Sequence, residues 1–311
     1  PEMGIEHGGR TVRTRIRATI QAAKGAEEVG RKVFVHLPIP KVCQQVSNIE
    51  ILDASPEITS IAPEDAAQRT VYFETVLQEN QQFMVEYAYD YHVDYVELDP
   101  EKASAEQPDF CTNEQAPHIV FTPYLRALLE EILDGETNPV KKARKIYDFV
   151  TTKVMYSYMR EYFTIPCIPE YAALNLKGDC GVQALLFITL CRMTGIPARW
   201  QSGLYATEFY TGCHDWAQFY VAPYGWVFAD LSFGGSAWRM GNTERWNYYF
   251  GNLDIFRMPA NSEIQAEFIP EKKWLRIDPV DNQRGEMEYE DHGLAFQDVI
   301  VKETLISMED Q

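Results

Sequence analysis

Gly178-Asp179-Cys180 runs straight into Gly181-Val182-Gln183-Ala184-Leu185-Leu186-Phe187-Ile188-Thr189-Leu190-Cys191-Arg192-Met193, and the rest of the chain is organised around this stretch. Only Gln183, Thr189 and Arg192 interrupt the apolar run after Gly181. Apolar residues on every face at this length predict a buried helix rather than a surface one. Asp179 is a suitable N-cap, and Gly195 followed by Pro197 is a C-terminal stop. Cys180 therefore falls in the first turn of a core helix. Unpaired N–H groups and the positive end of the helix dipole favour a thiolate there.

A cysteine at a helix start more often packs than reacts, because free cysteine behaves as a small hydrophobe. The residues downstream shift the balance. His214 opens a strand-like run through Val221, Pro223-Tyr224-Gly225 marks a turn, and Trp226-Val227-Phe228-Ala229 leads into Asp230. Two strands about a short turn predict an antiparallel hairpin. A three-residue loop over 222–224 would leave Asp230 diagonal to His214 on one face.

Gly-Asp-Cys opening an apolar helix, Arg192-Met193-Thr194-Gly195-Ile196-Pro197-Ala198-Arg199, His214-x-Trp216 and Gly225-Trp226-x-x-x-Asp230 follow in that order. Together they resemble the transglutaminase-like superfamily, over roughly residues 120 to 235. The resemblance implies a papain-like triad with Cys180 as nucleophile, His214 as general base and acid, and Asp230 orienting the imidazole. It also implies a second oxyanion donor upstream, for which Tyr156 and Tyr158 are candidates, with Trp216 beside the histidine. The first donor would be the Cys180 N–H. Asp215 stands where a small residue is usual and adds a carboxylate next to His214. Leu231 stands where proline is common.

The formal net charge of −18 argues against nucleic acid and anionic membranes as partners. No apolar run approaches the roughly 20 residues of a membrane span. The sequence begins at Pro1, so a processed or truncated start is expected, and a removed signal stays open. The six cysteines (43, 111, 167, 180, 191, 213) form no metal-type CxxC pair and read as reduced thiols. That favours a cytoplasmic setting, with a secreted or periplasmic one open if a signal was lost. Cys213 beside His214 lacks further ligands, and the acidic stretch 278–286 does not fit a calcium loop. No metal or cofactor is expected.

Alternation over Thr11–Ile20 and Arg31–Leu37, with further strands at Ser47–Leu52, Thr70–Leu77 and Gln82–Tyr91, predicts an antiparallel β-sandwich module. His36 and His92 read as structural. The polar, proline-bearing stretch 99–117 suggests the boundary, giving a β module at 1–105 and a catalytic domain at 106–311. Thr122-Pro123 and Asn138-Pro139 open two helices, and Lys141-Lys142-Ala143-Arg144-Lys145 reads as a solvated face. Residues 236–311 form an aromatic-rich extension, read as core packing with a cleft wall as the alternative.

The fold expectation is thus α+β: an N-terminal antiparallel β-sandwich, then helices packed on an antiparallel sheet in a transglutaminase-like core. The functional expectation is acyl transfer on a peptide or protein amide through an acyl-enzyme, with hydrolysis ahead of protein-glutamine crosslinking. A thiolate–imidazolium pair would pull the Cys180 thiol below its free value of about 8.5. A non-catalytic binding module on the same fold is the reading from another class, and a small-molecule amidase a third.

Overall fold

Alternation decides the first strands. In the computed structural model, which describes residues 8–274 and 276–311, β1 (Gly9–Ala22) buries Val12, Thr14, Ile16, Ala18 and Ile20 along one face. Then follow β2 (Lys32–Pro38), β3 (Val46–Ser55), β4 (Ser60–Ile61), β5 (Thr70–Val76) and β6 (Phe83–Asp94). Helix α1 (Pro123–Leu133) starts where Thr122 caps the Leu125 N–H, and α2 (Pro139–Lys153) where Asn138 accepts from Val140 and Lys141. Proline at the first helical position loses no hydrogen bond in either.

A short strand β7 (Met155–Tyr156) leads through α3 (Ile168–Asn175) to β8 (Lys177–Gly178), its parallel partner. Next come α4 (Cys180–Met193), β9 (Ala198–Ala206), β10 (Thr211–Val221) and β11 (Gly225–Ala229). The chain ends with α5 (Leu231–Arg239), α6 (Thr243–Tyr248), β12 (Phe250–Gly251), β13 (Arg257–Asn261), β14 (Glu286–Tyr289) and β15 (Val299–Asp310).

The chain divides into two compact units, each discontinuous in sequence. The first contains Val93–Gln201 and Asp215–Asp254, and the second Arg10–His92, Ser202–His214 and Ile255–Gln311. Strands β9 and β10 run from one unit into the other. In the second unit, two antiparallel four-stranded sheets run β15-β1-β6-β3 and β14-β2-β5-β4. Phe73 of β5 meets Phe83 of β6 with ring centroids 5.5 Å apart. The expected N-terminal sandwich is there, but residues read as the catalytic domain's extension complete it. Strand β15 pairs with β1 from Val12–Asp310 to Ala22–Val299, and β14 pairs with β2. A linear reading cannot show this, because pairing partners nearly 300 residues apart leave no mark in local pattern.

In the first unit, α4 is the buried helix. Val182, Leu185, Leu186, Phe187, Ile188 and Leu190 have no solvent exposure. Each such side chain contributes roughly 1.5–3 kcal/mol on burial. The helix packs against α2, α3 and α5, and Phe187 meets Phe219 of β10 edge-on at 5.6 Å. The aromatic stretch after Asp230 contains two helices that the sequence reading left undivided. Much of it is core: Phe250 stacks on Phe219, and Trp246 on Tyr147. Arg144, read as solvated, lies over the Trp246 ring at 4.4 Å.

Candidate active site

Two glycines let the chain pass close to Cys180. A Cβ on Gly178 would come within 2.7 Å of the Val182 Cβ, and one on Gly181 within 2.7 Å of Asp215 Oδ2. Larger residues at either position would displace the nucleophile's surroundings. Asp179 caps α4 by accepting from the Val182 N–H at 3.1 Å, and it also accepts from the Tyr162 hydroxyl at 2.5 Å. Cys180 is the first helical residue, so its N–H has no acceptor within the helix. It is 9% exposed.

The Cys180 thiol donates to Asp215 Oδ2 at 3.1 Å. Asp215 is itself buried. The parallel pairing of Tyr156 with Gly178 brings Tyr156 into the electrostatic neighbourhood of Cys180, although the side chain is half exposed. Burial first, then the Asp215 and Asp179 charges, push the Cys180 thiol well above its ordinary value. The sequence led to the opposite expectation for this thiol. The helix dipole is present, but two carboxylates in a buried setting outweigh it. Burial and the neighbouring Cys180, Asp179 and Asp215 charges raise the Tyr156 hydroxyl as well.

Tyr158, the other oxyanion candidate, is 95% exposed, whereas Tyr156 is half exposed and feels the charge of Cys180. Tyr162, which the sequence did not single out, anchors the Asp179 cap. The missed signal was its place in the aromatic connection that threads β7 to β8. Asp230 has no exposure and caps α5, accepting from the Phe233 N–H at 2.9 Å and the Ser232 hydroxyl at 3.3 Å. Trp216 is buried with Phe228 and Leu253, its indole N–H donating to Gln201 at 2.8 Å.

His214 belongs to the second unit, buried, with its ring edge-on to Tyr205 at 6.2 Å. Gln283 donates to its carbonyl at 3.0 Å. The sequence reading had His214 opening its strand. The structure starts the strand earlier: Thr207 and Tyr210 close a turn, and β10 is already under way at Thr211. His214 is thus held inside a strand. In the hairpin, Ala217 pairs with Ala229 and Val221 with Gly225, which leaves a loop of residues 222–224.

Residues 126–231 match the family model of the transglutaminase-like superfamily. Curated protein sequences include no match. Among solved structures, the chain is similar to a candidate cysteine protease from Cytophaga hutchinsonii at 14% identity and TM-score 0.56, covering 97% of this chain and 98% of that one. It also aligns with the periplasmic domain of TgpA from Pseudomonas aeruginosa at 13% identity and TM-score 0.42, covering 79% and 95%. Among the described residues, no helix is long and apolar enough to cross a membrane.

Proposed function

Residues 126–231 are a transglutaminase-like superfamily domain, and on that premise we propose that the chain is a cysteine-dependent enzyme transferring acyl groups from amide bonds, with water as the usual acceptor. Cys180 is the nucleophile, His214 the base and then the acid, and Asp230 the group that orients the imidazole. The observation that carries this reading is the capped N-terminus of α4. It presents a thiol next to a helical N–H with no partner inside the helix.

The hairpin supports the partnership of His214 with Asp230. Extending its register by one pair sets position 230 against position 216. With a side-chain period of two, positions 214, 216 and 230 fall on the same side of the strand alternation, and Asp215, which meets the thiol, on the other. The Tyr156 hydroxyl supports a second oxyanion donor beside the Cys180 N–H.

In the reaction, His214 takes the thiol proton and the sulfur attacks the amide carbonyl. The tetrahedral oxyanion is held by the Cys180 N–H and the Tyr156 hydroxyl. His214 returns the proton to the departing amine, leaving a thioester, which water then cleaves. A primary amine in place of water would make the same thioester a crosslinking intermediate. The likeness in fold to a candidate cysteine protease favours a peptide or protein amide as substrate.

The test is the rate of Cys180 alkylation by iodoacetamide, read by peptide mapping in the wild type and in His214→Ala. The proposal expects the variant to slow modification of Cys180 about tenfold or more, because the base that takes the thiol proton is gone. The other cysteines should react unchanged. Equal rates at Cys180 in both proteins would leave a binding module as the better reading.

A further inference from the structure

Cysteine nucleophiles are expected next to positive charge, yet the groups that surround Cys180 within its own unit are acidic or phenolic. Asp215 projects from β10, Asp179 from the cap of α4, Tyr156 from β7 and Tyr162 from the turn before α3. Asp215 is the closest of these by a direct hydrogen bond, with Oδ2 3.1 Å from Sγ. It is also wedged over the helix start: a Cβ on Gly181 would meet both its Oδ2 and the Tyr162 hydroxyl. Its side chain is buried there.

Building on the nucleophile reading above, we propose that Asp215 is a further catalytic residue: its carboxylate accepts the Cys180 S–H bond, fixes the sulfur's direction, and holds the proton on sulfur until the base removes it. The resting nucleophile is a neutral thiol rather than a preformed ion pair. When the S–H bond breaks, the proton passes to the base and both bonding electrons stay on sulfur. The thiolate then stands beside a carboxylate. Such a thiolate is scarce, but it is intrinsically more nucleophilic, because thiolate reactivity rises with the basicity of its thiol. The raised thiol pKa that burial and the two carboxylates impose is in keeping with this.

These two consequences have opposite signs, which makes the proposal measurable. Each unit of thiol pKa changes the thiolate fraction tenfold below the pKa, while intrinsic reactivity changes about threefold the other way. The experiment is the rate of Cys180 modification by an uncharged pyridyl disulfide from pH 6 to 11, in wild type and Asp215→Asn, read by peptide mapping. Asn keeps the shape and a hydrogen-bond acceptor but removes the charge. The proposal expects the variant to react about threefold faster at neutral pH per unit of pKa lost. Its alkaline plateau should be lower by about the same factor.

Profiles that coincide, or that move in the same direction at both ends, would overturn the assignment, since a change of access moves both ends alike. If Asp215→Asn does not fold, the wild-type profile still decides. A midpoint above the free-thiol value of about 8.5 supports the restraint, and one below it refutes it. Failure of the nucleophile reading shows up separately. It would leave the Asp215→Asn effect in place while His214→Ala changes nothing.

Discussion

The two ends of α4 each carry a buried free cysteine, and they differ in the groups that surround the sulfur. Cys191 lies in the last turn with no exposure, and burial alone raises its thiol. Cys180 lies in the first turn, where Asp215, Tyr156 and the Asp179 cap converge on it. A cysteine surrounded only by apolar side chains is packing material. One with polar groups aimed at its sulfur, in a helix that could have placed a leucine there, is a candidate for chemistry. The lesson is that burial does not sort reactive from inert cysteines; the chemistry of the immediate neighbours does.

Replacing each cysteine in turn is the strongest way to break this contrast. Cys180→Ala should abolish acyl transfer, a loss of about three orders of magnitude or more against a peptide substrate. Cys191→Ala should keep the rate per folded molecule and cost only about 1 kcal/mol in stability through the small cavity it leaves. Turnover assays and urea melts on the two variants check this directly. Equal loss of activity would erase the distinction.

The glycines flanking Cys180 give the next effect in size. Gly181→Ala would place a Cβ against Tyr162 and Asp215, and it should cost roughly 1–3 kcal/mol and most of the activity. Gly195→Ala meets no neighbour, but Gly195 has a φ of +78°. Its penalty of about 1 kcal/mol should fall on stability and leave the Cys180 modification rate unchanged.

Caps sharpen the comparison further. Asp179→Ala and Asn138→Ala each remove an N-cap and should each cost about 1 kcal/mol. Of the two, only Asp179→Ala should also alter the pH profile of Cys180 modification, shifting its midpoint down, because the Asp179 carboxylate bears on the thiol and Asn138 carries no charge.

The smallest effect is on stability against pH, where both ends act alike. Both thiols have folded values above the unfolded thiol's ordinary one. Above about pH 8.5 the unfolded chain has therefore lost protons that the folded state keeps, and stability falls as pH rises. Cys180→Ala and Cys191→Ala should each flatten that decline between pH 8.5 and 10 in thermal melts.

Much of this was legible in the sequence, for reasons specific to certain residues. The apolar run after Cys180, the Thr122-Pro123 and Asn138-Pro139 starts, and the period-two burial of Val12 through Ile20 are local signals, and the elements formed where they pointed. The three-residue hairpin turn was set by spacing alone. What escaped was nonlocal. Nothing in Val299–Asp310 announces that it pairs with β1. Asp215 read only as an extra carboxylate beside His214, because sequence adjacency does not say which face of a strand meets a helix. The short helices after Asp230 were hidden by aromatic density, which marks burial without indicating secondary structure.

The central claim is that Cys180 carries the acyl group. Mixing the protein with p-nitrophenyl acetate, quenching within seconds and mapping the adduct by mass spectrometry tests it most directly. The account predicts one acetyl group on Cys180 that forms rapidly, decays with time, decays faster when a primary amine is added if amines are acceptors, and fails to form in His214→Ala. Acetylation spread over lysines and the exposed Cys111, with none on Cys180, would contradict it.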